Sequence, residues 1–190
     1  MKQMTKQSIA DSFLELSGKM PLNNIKVKDI VSNCNISKQT FYNYFYDKYD
    51  LMNYIYESSV EKILESFIDT PGGLENDIQG VFEMCLANKR YYTAIINIEG
   101  QNSFHDYFYE HTKRYYIEQI RQKSEKETLT KSIMMAIDFN CSGTRKLFMD
   151  WVFHGMKESP KYMMKKITDC MPNELRKFFF DNTEPVLKQQ

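Results

Sequence analysis

The 190-residue chain has no net charge: 25 Lys and Arg balance 25 Asp and Glu. No global basic field therefore draws it toward nucleic acid. The charges divide almost evenly as well. Residues 1–52 hold 7 Lys against 5 acids, and the remainder 18 basic against 20 acidic residues, too small an imbalance to argue function. The four cysteines, Cys34, Cys85, Cys141 and Cys170, are scattered without a C-x-x-C pair. That spacing excludes a zinc ribbon or a dithiol redox motif, and they read as buried thiols of a reducing compartment. His105, His111 and His154 form no H-x-x-x-H pair, so no metal or other cofactor is expected. G-x-S-x-G, H-E-x-x-H and G-x-x-x-x-G-K-[ST] are all absent, and with them the signatures of an enzyme. No apolar run approaches the roughly 18 residues needed to cross a membrane. The first twenty residues lack the apolar stretch of a signal peptide. A cytoplasmic protein without membrane contact is expected.

Proline and glycine are also scarce, at 5 and 7 residues, and β-branched alternation is rare. The chain therefore reads as all-α, with about nine helices. Ile9, Phe13, Leu16 and Met20, with Ala10 and Leu14 beside them, give a first amphipathic helix ending near Gly18, before Pro21 and a PLNN loop. Val27, Ile30, Val31 and Cys34 mark a second helix of barely two turns. Asn35, one of the few non-glycine residues that tolerates positive φ, interrupts it, and Ser37 is placed to cap the next. A longer helix starts near Lys48, with Leu51, Ile55, Val60, Ile63, Leu64 and Phe67 as its stripe. TPGG at 70–73 reads as a break. The five helical stretches beyond it begin at Leu74, Arg90, Ser103, Thr128 and Ser159. Gly143 is a soft interruption in the fourth of these and Pro172 a break in the last. The polar tail DNTEPVLKQQ reads as frayed.

The segment NISKQTFYNYFYDKYDL, residues 35–51, crowds six aromatic side chains into a short run. At 100° per residue, Phe41 and Phe45 share one face, and Gln39 and Asn43 share the opposite one. Thr40 and Tyr42 flank the polar face, and Lys38 stands at the N-terminal end. Planar amides match the donor and acceptor that adenine presents in the major groove, and Lys reaches guanine or phosphate. Hydroxyls of Thr and Tyr suit phosphate oxygens, which set register without reading sequence. Residues 27–34, the Asn35-Ile36 turn and the helix after Ser37 together make a helix-turn-helix.

The run VKDIVSNCNISKQTFYNYFYDKYDL resembles the DNA-binding signature of TetR-type transcriptional regulators. Val27, Ile30, Ile36-Ser37, Thr40, Tyr42, Phe45, Lys48 and Leu51 carry the likeness, and F-x-x-K-x-x-L keeps its spacing. Two positions depart from the pattern: Lys26 stands where a capping Thr is usual, and Cys34-Asn35 where Ala-Gly is usual. The resemblance implies a three-helix reading head at 1–52 on a helical regulatory and dimerisation domain at 53–190. It implies base contacts by Lys38, Gln39 and Asn43, phosphate contacts by Thr40, Tyr42 and Lys48, and an anion site of backbone amides where Lys48 opens its helix. It also implies a homodimer on palindromic double-stranded DNA.

The body is less explicit. Met149, Trp151, Val152, Phe153 and Met156 supply either a helix-pair interface between two copies or intramolecular core. The dimer is expected through the last two long helices. Tyr91, Tyr92, Phe104, Tyr107, Phe108, Tyr109, Tyr115 and Tyr116 either line a cavity for an apolar or aromatic ligand or fill the core. WVFHGMKESPKYMMKKI, 151–167, is similar to a TetR subgroup that includes a coactivator of dihydroxyacetone kinase genes working with a protein partner. Two forms of control follow: a repressor released by a small-molecule effector, or a coactivator controlled by a protein. The helix at 48–68 would be the lever in either case.

Overall fold

The computed structural model describes residues 2–66, 73–97, 103–123 and 129–180. Among them lie ten α-helices, one 3₁₀ turn at Leu22–Asn24 and no strand. The helices are α1 (Lys2–Lys19), α2 (Val27–Asn33), α3 (Lys38–Tyr42), α4 (Lys48–Ser66), α5 (Gly73–Ala87), α6 (Lys89–Ile95), α7 (Phe104–Lys123), α8 (Lys131–Phe153), α9 (Pro160–Asp169) and α10 (Asn173–Phe179). The all-α expectation holds, with one helix more than the nine expected. Pro172 divides the last stretch into α9 and α10, standing as the residue before the α10 backbone turns helical. Gly143 does not interrupt α8, because its neighbours sustain 23 helical residues. Phe67, most of the TPGG break, and the tail at 181–190 lie outside the described residues.

The head is built from local signals. Ile9, Ala10, Phe13 and Leu16 of α1 are buried, and Met20 is partly buried, whereas Leu14 stays exposed on the outer face. The first two helices are tied by polar bonds that apolar periodicity does not reveal. The buried Ser12 hydroxyl donates to the Ile30 carbonyl at 2.9 Å, and Asn33 Nδ2 donates to Glu15 at 3.0 Å. Lys26 gives α2 no side-chain cap, but Asp29 compensates: its carboxylate accepts from the Lys26 amide at 2.9 Å. The carboxylate also complements the helix N-terminus.

The turn between α2 and α3 is a helix C-cap. Asn35 adopts φ 54°. The Ile36 amide donates to the Val31 carbonyl at 3.0 Å and the Asn35 amide to Ser32 at 3.4 Å. This is the paired bonding of a Schellman end, in which the left-handed residue satisfies the last carbonyls of the helix. Ser37 then accepts from the Thr40 amide at 3.0 Å and starts α3. The same device ends α8. Gly155 sits at φ 86°, its amide donates to Val152 at 3.0 Å, and Met156 donates to Trp151 at 2.7 Å. Ser159 caps α9 through the Tyr162 amide at 3.2 Å, with Pro160 in the first turn where its missing amide costs nothing.

Helix α4 passes position 52 unbroken. Its Leu51, Met52, Ile55, Tyr56 and Val60 are buried in one apolar cluster that runs from Ile9 of α1 to Ile167 of α9. A second cluster, around Tyr116, Ile120, Ile137 and Leu175, joins α7, α8 and α10. In the body, α5 packs on α9, α7 on α8 and α10 on α8. Met149, Trp151, Val152 and Met156 are buried within the chain, so only Phe153 of that group is left for another copy.

Asn35 carries a testable consequence. Alanine at a left-handed position costs about 1 kcal/mol, whereas glycine adopts it freely. Asn35→Ala should lower the free energy of unfolding by about that amount, and Asn35→Gly should leave it within about 0.5 kcal/mol of the parent, read by circular dichroism in urea.

Candidate nucleic-acid interface and body cavity

Helix α3 presents its residues as the projection required. Phe41 is fully buried, and Phe45, on the turn beyond the helix, is buried beside it, their ring centroids 5.7 Å apart. Lys38, Gln39 and Asn43 are exposed on the other side. Asn43 stays in the right-handed helical region just past the end of α3, which keeps it one turn from Gln39. The two amides are joined: Gln39 Nε2 donates to Asn43 Oδ1 at 3.2 Å. That bond aligns the pair and leaves Gln39 Oε1 and the Asn43 amide protons outward, an acceptor beside a donor. Thr40 is half-buried, its hydroxyl 2.9 Å from that of Ser37. Tyr42 is 54% exposed and braced edge-on by Phe41. Of the remaining aromatics, Tyr46 is 80% exposed, Tyr44 packs partly against the core, and Tyr49 lies under the Lys48 ammonium.

Lys48 is placed differently from the expected phosphate grip. It does open α4, but its ammonium donates to the carbonyls of Leu22, Asn23 and Ile25 at 3.2, 3.2 and 3.1 Å. The cation thus closes the 3₁₀ turn onto α4. Its burial pulls the pKa below the usual lysine value, against the raising field of Asp47. The amides at the start of α4 are taken too, since Asp47 accepts from Tyr49 and Asp50, both at 2.8 Å. A fixed carboxylate therefore occupies the expected anion site. The carbonyl partners lie 23 to 26 residues away from Lys48 in the chain, so no local pattern announced them.

In the body, a cavity of about 70 Å³ lies between α4, α5, α7 and α8. Apolar side chains such as Val60, Ile78, Phe82 and Phe108 form most of its wall, with His111, Thr112, Thr144 and Asp77 as polar members. Of the eight aromatic residues proposed for a cavity, Phe108, Tyr115 and Tyr116 line this one. Tyr91, Tyr92 and Phe104 are core, and Tyr109 instead donates to Asp138 at 2.9 Å across α7 and α8. Tyr56 and His111 line it without having been expected. Burial holds the His111 imidazole pKa below its usual value, and the Arg114 cation lowers it further against the opposing Glu57 carboxylate.

A helix-turn-helix on a helical body, its outward helix face built of amides, hydroxyls and an ammonium, is the architecture of a transcriptional regulator. Residues 73–173, more than half of the chain, match the TetR C-terminal family described as "Transcriptional regulator C-terminal region". The chain belongs to the TetR-type transcriptional regulators, which are not enzymes. It is similar to the HTH-type dhaKLM operon transcriptional activator DhaS of Lactococcus lactis subsp. lactis (strain IL1403), with 28% identity over 96 residues. That match spans 50% of this chain and 51% of the relative, about half the length of each. Its fold is similar to that of the solved "Dihydroxyacetone kinase operon activator DhaS", at a TM-score of 0.63 and 20% identity over 92% of this chain and 98% of that one. Among the described residues no helix is long and apolar enough to cross a membrane.

Lys48→Met should lower stability by about 2 kcal/mol, from three lost bonds to a cation that is partly solvated. DNA affinity measured across a salt series separates this role from a phosphate contact. A structural lysine leaves the slope of log K against log salt unchanged, whereas loss of a phosphate contact reduces it by about one.

Proposed function

We propose that the chain is a dimeric DNA-binding regulator that reads a palindromic operator through Lys38, Gln39 and Asn43. The observation that carries this reading is the outward amide pair on the end of α3, held in register by its own hydrogen bond at 3.2 Å. Aligned amides can meet adenine in two bonds, and Lys38 at the leading end can meet guanine or phosphate. Thr40 and Tyr42 would set the register on the backbone, and Lys48 would position the head from inside. The boundary of the reading head falls near residue 52, within α4.

The exposed apolar residues support the dimer. Of the ten large exposed apolar side chains among the described residues, five lie on α8 and α9: Met135, Phe139, Leu147, Phe153 and Tyr162. Met135 and Phe153 are 18 residues apart, five whole helical turns, and so share one face. Phe139 lies beside them, and between it and Phe153 that face carries Ser142, the open Gly143 and the Lys146–Asp150 ion pair. Apolar ends and the small Ser142–Gly143 step suit two copies of α8 crossing near Gly143. Such a pairing would set two α3 helices on half-sites about 34–36 Å apart.

Two forms of control have support. The cavity against α4 favours a small-molecule effector acting on a repressor. The similarity to an operon activator favours coactivation with a protein partner. A ligand-induced rise in melting temperature speaks for the first; co-purification with a partner that restores transcription in vitro speaks for the second.

Selection of bound duplexes from a random pool should yield a palindrome. Gln39→Ala and Asn43→Ala should each remove about 1–3 kcal/mol of preference at one base pair per half-site while non-specific binding persists; an unchanged preference would remove both from the reading edge. Phe139→Glu should shift the protein to monomer in sedimentation and weaken operator binding by about a hundredfold, because the second head is no longer tethered. A dimer that survives this change would displace the interface from α8.

A further inference from the structure

We infer that the crevice between α1, the 3₁₀ turn and α6 binds an organic anion, a carboxylate or phosphate ester on an apolar body, whose charge is met by Arg90 and Lys89. This site is separate from the body cavity and from the outward face of α3, and it goes beyond the reading above without resting on it. The crevice measures about 410 Å³, within the roughly 300–1,000 Å³ usual for small-molecule sites. The body cavity of about 70 Å³ is too small for a substituted ring, at roughly 10–15 Å³ for each water-sized group.

Arg90 spans the crevice. From α6 its guanidinium donates to the Gly18 carbonyl of α1 at 3.1 Å. That bond uses one N–H, and the planar fork that remains suits paired oxygens of a carboxylate or phosphate. Lys89 is anchored as well, donating to the Gly155 carbonyl at 2.6 Å, with ammonium protons in reserve. Cations already held by carbonyls lose little freedom on meeting a ligand, which favours binding.

Nothing opposes this charge. Among the described residues no Asp or Glu lines the crevice, and neither cation has an ion-pair partner. Glu15 of α1 is held instead by Lys19 and Asn33. A cleft lined by one sign of charge focuses the field and concentrates counter-ions.

The rest of the lining sets the body of the ligand. Leu14, Met20 and Ala94 give the crevice an apolar side, and Leu14 is 38% exposed. Nothing stands within 4 Å of where a side chain would start at Gly18, so the rim is open there. A bare inorganic ion would leave this apolar surface uncovered, and an uncharged molecule would leave the cations without a counter-charge. An amphipathic anion meets both.

Four probes test the site on the full chain at low salt: phenyl phosphate, benzoate, uncharged benzyl alcohol and inorganic phosphate. Binding is titrated by calorimetry. The expected result is saturable binding of phenyl phosphate or benzoate, with benzyl alcohol and inorganic phosphate at least about tenfold weaker. The tighter of the two organic anions tells a phosphate ester site from a carboxylate site. Arg90→Met should erase the preference for the anion over benzyl alcohol. Leu14→Glu, a change at an exposed position that leaves both cations and the Gly18 bond in place, should weaken anion binding by about tenfold through like-charge repulsion at the mouth. No saturable anion binding, equal binding of benzyl alcohol, equal binding of inorganic phosphate, or anion binding untouched by Leu14→Glu would each overturn the inference. The probe comparison and Leu14→Glu decide the matter even if Arg90→Met does not fold.

Discussion

The packing around one ring, Tyr56, fixes how the two halves of the molecule sit together. Tyr56 is 2% exposed on α4, and its ring meets those of Tyr92, Phe104, Tyr107, Phe108 and His111 at centroid distances of 5.1 to 6.4 Å. Most of these contacts are edge-on, the arrangement that the aromatic quadrupole favours. The same helix carries Leu51 and Met52 in the apolar cluster that contains Phe41 and Phe45. A rotation of α4 in the body would therefore be felt in the head, since no hinge breaks the helix between them. Further ties reinforce the joint: Tyr91 donates to the Met52 carbonyl at 3.3 Å, and Arg90 to the Gly18 carbonyl at 3.1 Å.

Where local chemistry decides the structure, the sequence was legible. The Asn35 turn, the Ser37 cap and the split between Phe41 and Gln39 follow from bonds within a few residues. The failures share a cause, which is dependence on partners far along the chain. The α4 stripe drawn through Leu51, Ile55 and Val60 omitted Met52 and Tyr56, because α4 is covered on more than one side and its buried face is wider than one row. The ties of Lys48 to the carbonyls of the 3₁₀ turn were likewise invisible locally, beside the phosphate contact that the resemblance implies. On α8 both faces carry apolar residues, so periodicity could not say which faces inward. The exposure of Phe139 and Phe153 against the burial of Met149 and Val152 needed the packed body.

The capping of the two anion-attracting helix starts bears on how the head would hold DNA. Asp29 sits at the start of α2 and Asp47 at the start of α4. Both place negative charge where a phosphate would otherwise be welcomed by the helix dipole. Grip on the backbone then has to come from side chains outside those termini, which leaves Lys38, Thr40, Tyr42 and the exposed Lys26 and Lys28. The net excess of two positive charges in residues 1–52 gives only a shallow salt-dependent attraction. Such a head would lean on base contacts and on duplication in a dimer more than a strongly basic one would.

The size of the cavity limits what any molecule inside it can do. At roughly 10–15 Å³ for each water-sized group, the body cavity of about 70 Å³ holds about five non-hydrogen atoms, and at most about 1.5 kcal/mol per atom they yield at most about 7.5 kcal/mol. Only the part that differs between two arrangements of the head shifts their balance. Moving a population from 1:99 to 99:1 takes about 5.5 kcal/mol of that difference, most of the total that such a ligand can offer. Two routes ease this demand. In a dimer that changes arrangement as a unit, two occupied cavities add their differences. A protein partner gripping a wide surface draws on far more contact area than the cavity offers. A body whose cavity holds so few atoms is thus suited to fine adjustment from within, and a large change in state would call for a second copy or for a partner outside.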